Sequence, residues 1–239
     1  MHILGLIPAR GGSKGVPRKN SKPLNGKPLL CYSIEAGLAC SAIDRVLVST
    51  DDEEMARISR EAGAEVPFLR PAELANDQSP TIDTVVHALR FFEGQGVVFD
   101  AVCLLQPTVP FRSAEDLAEA IRKFEASSAD SLISVREVPH IYNPHWVYEQ
   151  DRESGLLRPA IEGKKRVTRR QDLPPAYHRD GSVYLSRTSV ILEQHSLYGA
   201  STVHHVMSQS PDVNIDTMDD WRAAEQMAQQ AIIEKEKNI

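Results

Sequence analysis

Short apolar runs alternate along the chain with longer stretches whose apolar residues recur at helical spacing. Residues 2–8 read as a buried strand, and residues 9–25, rich in Gly, Lys, Pro and Asn, read as a long loop. Pro28 suits the first turn of a helix running to about Cys40. Residues 45–50 form a β-branched run, and Thr50 with Glu53 makes a capping-box pattern opening a helix that ends at Gly63. The same reasoning predicts strands at 65–69, 100–105 and 131–136, and helices at 79–93 and 113–126. Strand and helix alternate, which implies an α/β fold with a mostly parallel sheet and helices on both faces.

The rhythm breaks between residues 137 and 175, where Pro139, Pro144, Pro159, Pro174 and Pro175 accompany Trp146, Tyr148 and a basic cluster at 164–170. This stretch reads as an excursion from the sheet, its aromatics forming either a partner surface or a small satellite core. Alternation returns with strands at 182–186 and 202–206 and a closing helix at 217–236. No internal repeat intervenes, so the chain reads as one domain with an inserted excursion at about 137–180.

The 239 residues, 41% of them apolar and 25% charged, suffice for one large domain with its own core. Cys31, Cys40 and Cys103 contain no CxxC pair, so neither a disulfide framework nor a zinc site is encoded, and a reducing compartment is expected. The longest apolar run near the start, residues 3–9, is too short for a membrane span or a signal-peptide core. No membrane partner and a cytoplasmic location are therefore expected. The 27 basic and 33 acidic residues net −6, which disfavours non-specific binding to nucleic acid. Charge is unevenly spread: Arg10, Lys14, Arg18, Lys19, Lys22 and Lys27 fall within the first 34 positions, which hold no Asp or Glu. The remainder then carries 21 basic against 33 acidic residues, a net −12.

That basic island coincides with the stretch Ile7-Pro8-Ala9-Arg10-Gly11-Gly12-Ser13-Lys14-Gly15-Val16-Pro17-Arg18-Lys19-Asn20, directly after the first strand. In a parallel sheet ligands bind beyond the carboxyl ends of strands, where this loop lies. Glycines let backbone N–H groups converge on an anion, and interleaved Arg and Lys supply countercharge for a polyphosphate. The pattern is neither GxxxxGK[ST] nor GxGxxG, so ordinary P-loop or dinucleotide chemistry is not indicated.

This loop resembles the signature of the acylneuraminate cytidylyltransferases, the CMP-sialic acid synthetase family. The resemblance continues through Arg70-Pro71-Ala72-Glu73-Leu74 with Asp77 and Thr81, Leu104-Leu105-Gln106-Pro107-Thr108-Val109-Pro110-Phe111-Arg112, Arg170-Gln171-Asp172, Asp180-Gly181-Ser182-Val183-Tyr184 and Asn214-Ile215-Asp216-Thr217. These motifs keep the family's order and approximate spacing over most of the chain. The resemblance implies a Rossmann-like sheet and a reaction that joins CTP to a 2-keto-3-deoxy sugar acid, sialic acid or a related nonulosonic acid, with Mg²⁺ present. Pyrophosphate and the CMP-sugar are the products. It also implies a homodimer in which the segment near 137–180 reaches a second subunit.

By resemblance, Ala9, Arg10, Gly11, Ser13, Lys14, Lys19 and Asn20 belong to the nucleotide site, with Arg10 and Lys19 stabilising transition-state charge. Arg70, Thr81 and Gln106 are expected near cytosine and ribose, a side-chain amide offering both donor and acceptor. Gln106, Arg170, His178 and Asp180 are expected at the sugar acid, because a guanidinium pairs bidentately with a carboxylate. Lys164, Lys165, Arg166 and Arg169 read as solvated loop charges adding a steering field. One departure stands out: where the sialic acid enzymes commonly have Arg-x-Asn-Gly, this chain has His178-Arg179-Asp180-Gly181. The sugar acid can therefore differ from N-acetylneuraminate. A shorter ulosonic acid such as an octulosonate, or a catalytically inactive nucleotide-binding homologue, remains the alternative.

Mg²⁺ takes one or two carboxylates plus substrate phosphates and waters. Asp216 matches a family metal residue, and the partner position, usually Asp, is Asn214. Residues 212, 214 and 216 of an extended segment share a face, which makes Asp212 a candidate for the missing charge. The acidic run at 51–54 opens a helix and reads as structural, and the adjoining His204 and His205 point to opposite faces of a strand.

Overall fold

The computed structural model describes every residue except Glu162, Lys164, Lys165, Ser208, Gln209, Asn238 and Ile239, and describes the backbone alone for residues 231–237. The sequence assignment of Lys164 and Lys165 thus lies outside the described residues.

The chain opens with β1 (Ile3–Pro8), the two-residue strands β2 (Pro23–Leu24) and β3 (Lys27–Pro28), and α1 (Leu29–Ala39). There follow β4 (Arg45–Ser49), α2 (Glu53–Glu61), α3 (Thr81–Glu93), β5 (Ala101–Leu104), α4 (Ala114–Glu125) and β6 (Ser131–Glu137). The excursion carries the hairpin β7 (Tyr148–Gln150) and β8 (Leu157–Pro159), after which come β9 (Tyr177–Arg187), α5 (Thr188–Gln194), β10 (Thr202–Val206) and α6 (Met218–Lys237). The central sheet runs β10-β6-β9-β5-β1-β4. Only β9 is antiparallel to its neighbours.

Period-two alternation in the strands sorts side chains onto the two faces. Ile3 and Ile7 of β1 join Val46, Val48, Cys103 and Leu185 under α1, α2 and α4, whereas Leu4 and Leu6 join Leu47, Val102 and Leu104 under α3 and α5. A third apolar cluster, built on Val16, Leu24, Leu29, Val213, Ile215 and Trp221, anchors the loop after β1 to the start of α6. With five strands aligned, the segments leaving β1, β5 and β10 emerge at one end of the sheet. That shared end is what brings them to a common site.

Three local expectations need correction, and one element is unexpected. The cap of α2 is Asp52, which accepts the Met55 N–H at 3.0 Å; Thr50 Oγ1 instead accepts the Asp52 N–H at 3.2 Å. No strand forms at 65–69, where Glu65 makes a single bridge to Leu47 and Pro67 ends the pairing. The strand expected at 182–186 begins five residues earlier, since Tyr177, His178 and Arg179 pair with Glu137, Arg136 and Val135. Helix α5 has no counterpart in the pattern reading. By contrast, α4 has the full reciprocal capping box, Ser113 with Asp116.

Candidate active site

The loop after β1 is held by hydrogen bonds to the end of β4 and by one of its own side chains. Ala9 N–H donates to Ser49 O at 2.9 Å, Gly11 N–H to Asp51 Oδ1 at 2.9 Å, and Asn20 Nδ2 to Arg10 O at 3.1 Å. Val16, fully buried in the third cluster, pins the middle of the loop. Lys19 crosses to the segment before α6, donating to Ile215 O at 2.6 Å and lying 3.2 Å from Asp216 Oδ1. Arg18 turns the other way, towards Asp52 and Glu54.

The loop forms one wall of a cleft of about 380 Å³. Arg10, Ser13, Lys19 and Asn20 face Arg70, Asn76, Asp77, Ser79, Thr81 and Thr84 across it; Gln106, Pro107 and Thr108 from the end of β5 and Asn214 with Asp216 complete the lining. Asp77 bridges the mouth, 2.7 Å from Arg10 and 2.6 Å from Lys14. Hydrogen bonds from Lys14 and Arg10 hold its carboxyl below the usual carboxylate range. Arg70 is buried, donating to Ser49 O at 2.9 Å and Thr84 Oγ1 at 3.1 Å. Burial, and the nearby Arg10 cation, lower its guanidinium from the ordinary arginine value against the opposing pull of Asp51. Arg10, Lys14, Lys19 and Arg70 against Asp77 and Asp216 leave the cleft net positive, as an anionic ligand requires.

A second recess of about 340 Å³ adjoins the first and shares Thr81 and Gln106 with it. Arg179, Tyr184, His195 and Tyr198 line it; Arg179 donates to the Tyr198 hydroxyl at 2.7 Å, and His195 Nε2 lies 2.8 Å from Asp83. Gln106 therefore stands between two cavities. Its backbone is held by the buried Arg112, which donates to Gln106 O, Val109 O and, at 3.2 Å, to Ser33 Oγ. Burial lowers the Arg112 guanidinium to about 10.

The sequence candidates divide by location. Arg10, Ser13, Lys19, Asn20, Arg70, Thr81, Gln106, Asn214 and Asp216 line the first cleft. Lys14 sits exposed at its mouth, Ala9 is buried beneath the loop, and the Gly11 N–H faces Asp51. Arg170 lies on an exposed 3₁₀ turn, Arg170–Asp172, and lines neither cavity. His178 lines a separate recess beside Arg136 and Tyr142. The Asp180 carboxylate is only 1% exposed, bonded to Ser134 and Ser182. Asp212 pairs with Arg136 at 3.1 Å and does not line the cleft. Thr108 and Arg179 stand inside the quoted motifs but outside the expected site residues, Asn76, Ser79 and Thr84 lie beside the motif residues Asp77 and Thr81, and no local signal marks Tyr198.

Among the described residues no three His, Cys, Asp or Glu side chains converge as a metal cage. A hard cation that keeps waters and binds substrate phosphates needs fewer protein ligands. The 66%-exposed Asp216 carboxylate and the Asn214 amide, both on the cleft wall, fit that donor set.

A family model described as cytidylyltransferase matches residues 4–239. The CMP-N,N'-diacetyllegionaminic acid synthase of Legionella pneumophila is 36% identical over 228 residues, covering 95% of this chain and 96% of its own. A pseudaminic acid cytidylyltransferase of Campylobacter jejuni is 31% identical over 224 residues, covering 94% and 95%. The N-acylneuraminate cytidylyltransferase A of Danio rerio is 34% identical over 94% of this chain and 50% of its own length. In fold, the chain is similar to the CTP complex of a CMP-2-keto-3-deoxy-manno-octonic acid synthetase, with a TM-score of 0.73 at 16% identity over 97% of this chain and 100% of that one. Among the described residues no helix is long and apolar enough to cross a membrane.

Proposed function

The chain belongs to the cytidylyltransferase family, and from that premise we propose that it transfers CMP from CTP to a nonulosonic acid, releasing pyrophosphate. The observation that carries this reading is the pairing of two cavities across Gln106, one lined by the cations of the loop after β1 and the other by Arg179 and the aromatics Tyr184 and Tyr198. Two substrates that react with each other need two adjoining sites.

CTP lies in the first cleft, its triphosphate against Arg10, Ser13, Lys14 and Lys19. The acceptor hydroxyl attacks the α-phosphorus, a new P–O bond forms, and the bond to the departing pyrophosphate breaks while the hydroxyl proton is lost. Charge grows on the phosphate oxygens, and preorganised Arg10 and Lys19 neutralise it without reorganisation at the moment of reaction. Gln106 orients base and acceptor, and Arg70 with Thr81 shapes the nucleoside end. Arg179 is the cation of the second cavity and suits the acceptor's carboxylate. Asp216 and Asn214 would hold Mg²⁺, which would supply further countercharge to the phosphates.

Legionaminic and pseudaminic acids, named by relatives of matching length, define the acceptor class favoured over a shorter ulosonic acid. In this reading the enzyme acts as a homodimer in the cytoplasm: Ile141, Tyr142, Leu156 and Leu157 of the excursion are exposed apolar side chains suited to a second copy, at whose site Arg170 would lie. Incubation of each NTP with a panel of nonulosonic and octulosonic acids, following pyrophosphate release, tests the reading. CTP with a nonulosonic acid should dominate; CTP binding without turnover on any acid, or a preference for the octulosonate, would overturn it.

A further inference from the structure

We propose that Asp180 is a positioning residue: a buried anion that holds the strand bulge behind Gln106 and ties it to the segment carrying Asp216. The proposal rests on the two-site reading above for its kinetic consequence, though not for its structural one.

Between Ile133 and Val135 of β6, whose partners on β9 are Tyr184 and Arg179, residues 180–183 bulge out of the ladder. A bulge strips backbone groups of their cross-strand partners, and buried groups need replacements. Asp180 and Ser134 provide them. The Ser182 N–H donates to Asp180 Oδ1 at 3.1 Å and the Val183 N–H to Ser134 Oγ at 2.8 Å. Ser182 Oγ donates to Asp180 Oδ2 at 2.8 Å, and Ser134 Oγ donates to Asp180 Oδ1.

The bulge bears directly on Gln106. Gly181 has φ +83°, and a β-carbon there would lie 3.5 Å from Gln106 Oε1 and 3.3 Å from Val109 Cγ2, so the bulge passes close beside that side chain. The buried Arg112, which grips the Gln106 and Val109 carbonyls from behind, has Asp180 as a nearby negative charge. On the other side Arg136 Nε lies 3.7 Å from Asp180 and 3.1 Å from the exposed Asp212, and its guanidinium donates to Met207 O at 2.9 Å, Ser210 O at 2.8 Å and Pro211 O at 3.1 Å. The segment so held continues to Ile215, whose N–H donates to Thr108 O at 2.8 Å. One carboxylate thus lies between two cations, one holding the Gln106 and Val109 carbonyls and the other the segment that leads to Asn214 and Asp216. A buried charge with such partners is costly to remove, since Arg112 loses its nearby negative charge and Arg136 is left with the exposed Asp212. It also accounts for Asp where the resembling enzymes have Asn, with no negative charge presented to a negative substrate.

The test uses Asp180→Ala and the milder Asp180→Asn in the full chain, read first by hydrogen–deuterium exchange without substrates. Exchange in peptides spanning 104–112 and 210–216 should quicken about tenfold in Asp180→Ala and less in Asp180→Asn, while 3–8 and 45–49 keep their protection. Unchanged exchange in both variants, or a uniform rise across all four peptides, overturns the proposal. The second arm is kinetic: Asp180→Asn should lower kcat/KM for the acid roughly tenfold with Gln106 present and less than about twofold in a Gln106→Ala background. Equal losses in both backgrounds would make Asp180 independent of Gln106 and refute the route. If the wild type turns over no acid at all, the functional reading fails while the exchange arm still decides this one.

Discussion

Gly15 lies so close to Asp216 that a β-carbon built on the glycine would sit 1.9 Å from the Asp216 carbonyl oxygen. The loop after β1 and the segment carrying Asp216 are therefore packed backbone to backbone, and Lys19 stitches the same pair of segments with its bond to Ile215 O. Gly15→Ala must push them apart. Overpacking of this kind costs about 1–3 kcal/mol of stability, but the larger effect should fall on catalysis, where kcat/KM for CTP should drop about 10²-fold or more through displaced charge donors. Steady-state kinetics beside a thermal melt measure both; near-normal turnover would mean that the loop works in another conformation.

Asp77 occupies Arg10 and Lys14 where the triphosphate is expected, so the two anions compete. Arg10→Ala should leave the fold intact and lower kcat about 10²- to 10³-fold. Asp77→Asn should have the opposite sign on binding and lower the KM for CTP roughly twofold to fivefold, the range of an exposed ion pair. Titration of CTP into the two variants separates them, and a weakened affinity in Asp77→Asn would recast the carboxylate as a support for Arg10.

Asp216 and Asn214 adjoin on the cleft wall, and Asn214 carries no charge. Asp216→Asn should therefore lower activity strongly and raise the Mg²⁺ concentration needed for half-maximal rate. Activity measured over a Mg²⁺ series checks this, and an unchanged half-saturation point would remove Asp216 from the metal.

Much of this arrangement was legible from local pattern. β1 and β5 show as apolar runs, α4 declares its start through Ser113, and the loop after β1 announces an anion through glycines and cations in series. Where reading failed, two local signals competed or the decisive contact was distant. Thr50 and Asp52 both suit a helix cap, and only the geometry shows Thr50 spent on the Asp52 N–H. The 65–69 run has strand composition but meets the sheet edge at Glu65 alone. Helix α5 is seven residues long, too short for a period to register. At the site, Asp180 stands in a motif that suggested substrate contact, and its burial depends on Ser134 and Arg136, more than forty residues away in sequence.

All three cysteines are buried and unpaired, and burial raises each thiol; Cys103 is pushed up to about 12 from an ordinary 9.0. The native chain therefore keeps protons that the unfolded chain loses. Stability from this source is complete below about pH 9 and declines as pH rises towards 12. A thiol reagent at pH 8 should leave the native protein almost unlabelled and modify all three cysteines after denaturation. Rapid native labelling would show that the core around Cys103 opens.

Arg170 lines neither cavity of its own chain, so a role at the sugar acid requires a second copy. Arg170→Ala should then raise the KM for the acid while leaving CTP affinity unchanged. A mixing experiment distinguishes this from a simple surface effect. Arg10→Ala and Arg170→Ala chains are each impaired alone, but a mixed dimer has one site with an intact Arg10 from one chain and an intact Arg170 from the other. Random re-association of equal amounts should restore about a quarter of wild-type activity, because half the dimers are mixed and half their sites are whole. If the two cavities were complete within one chain, every mixture would show only the average of its components.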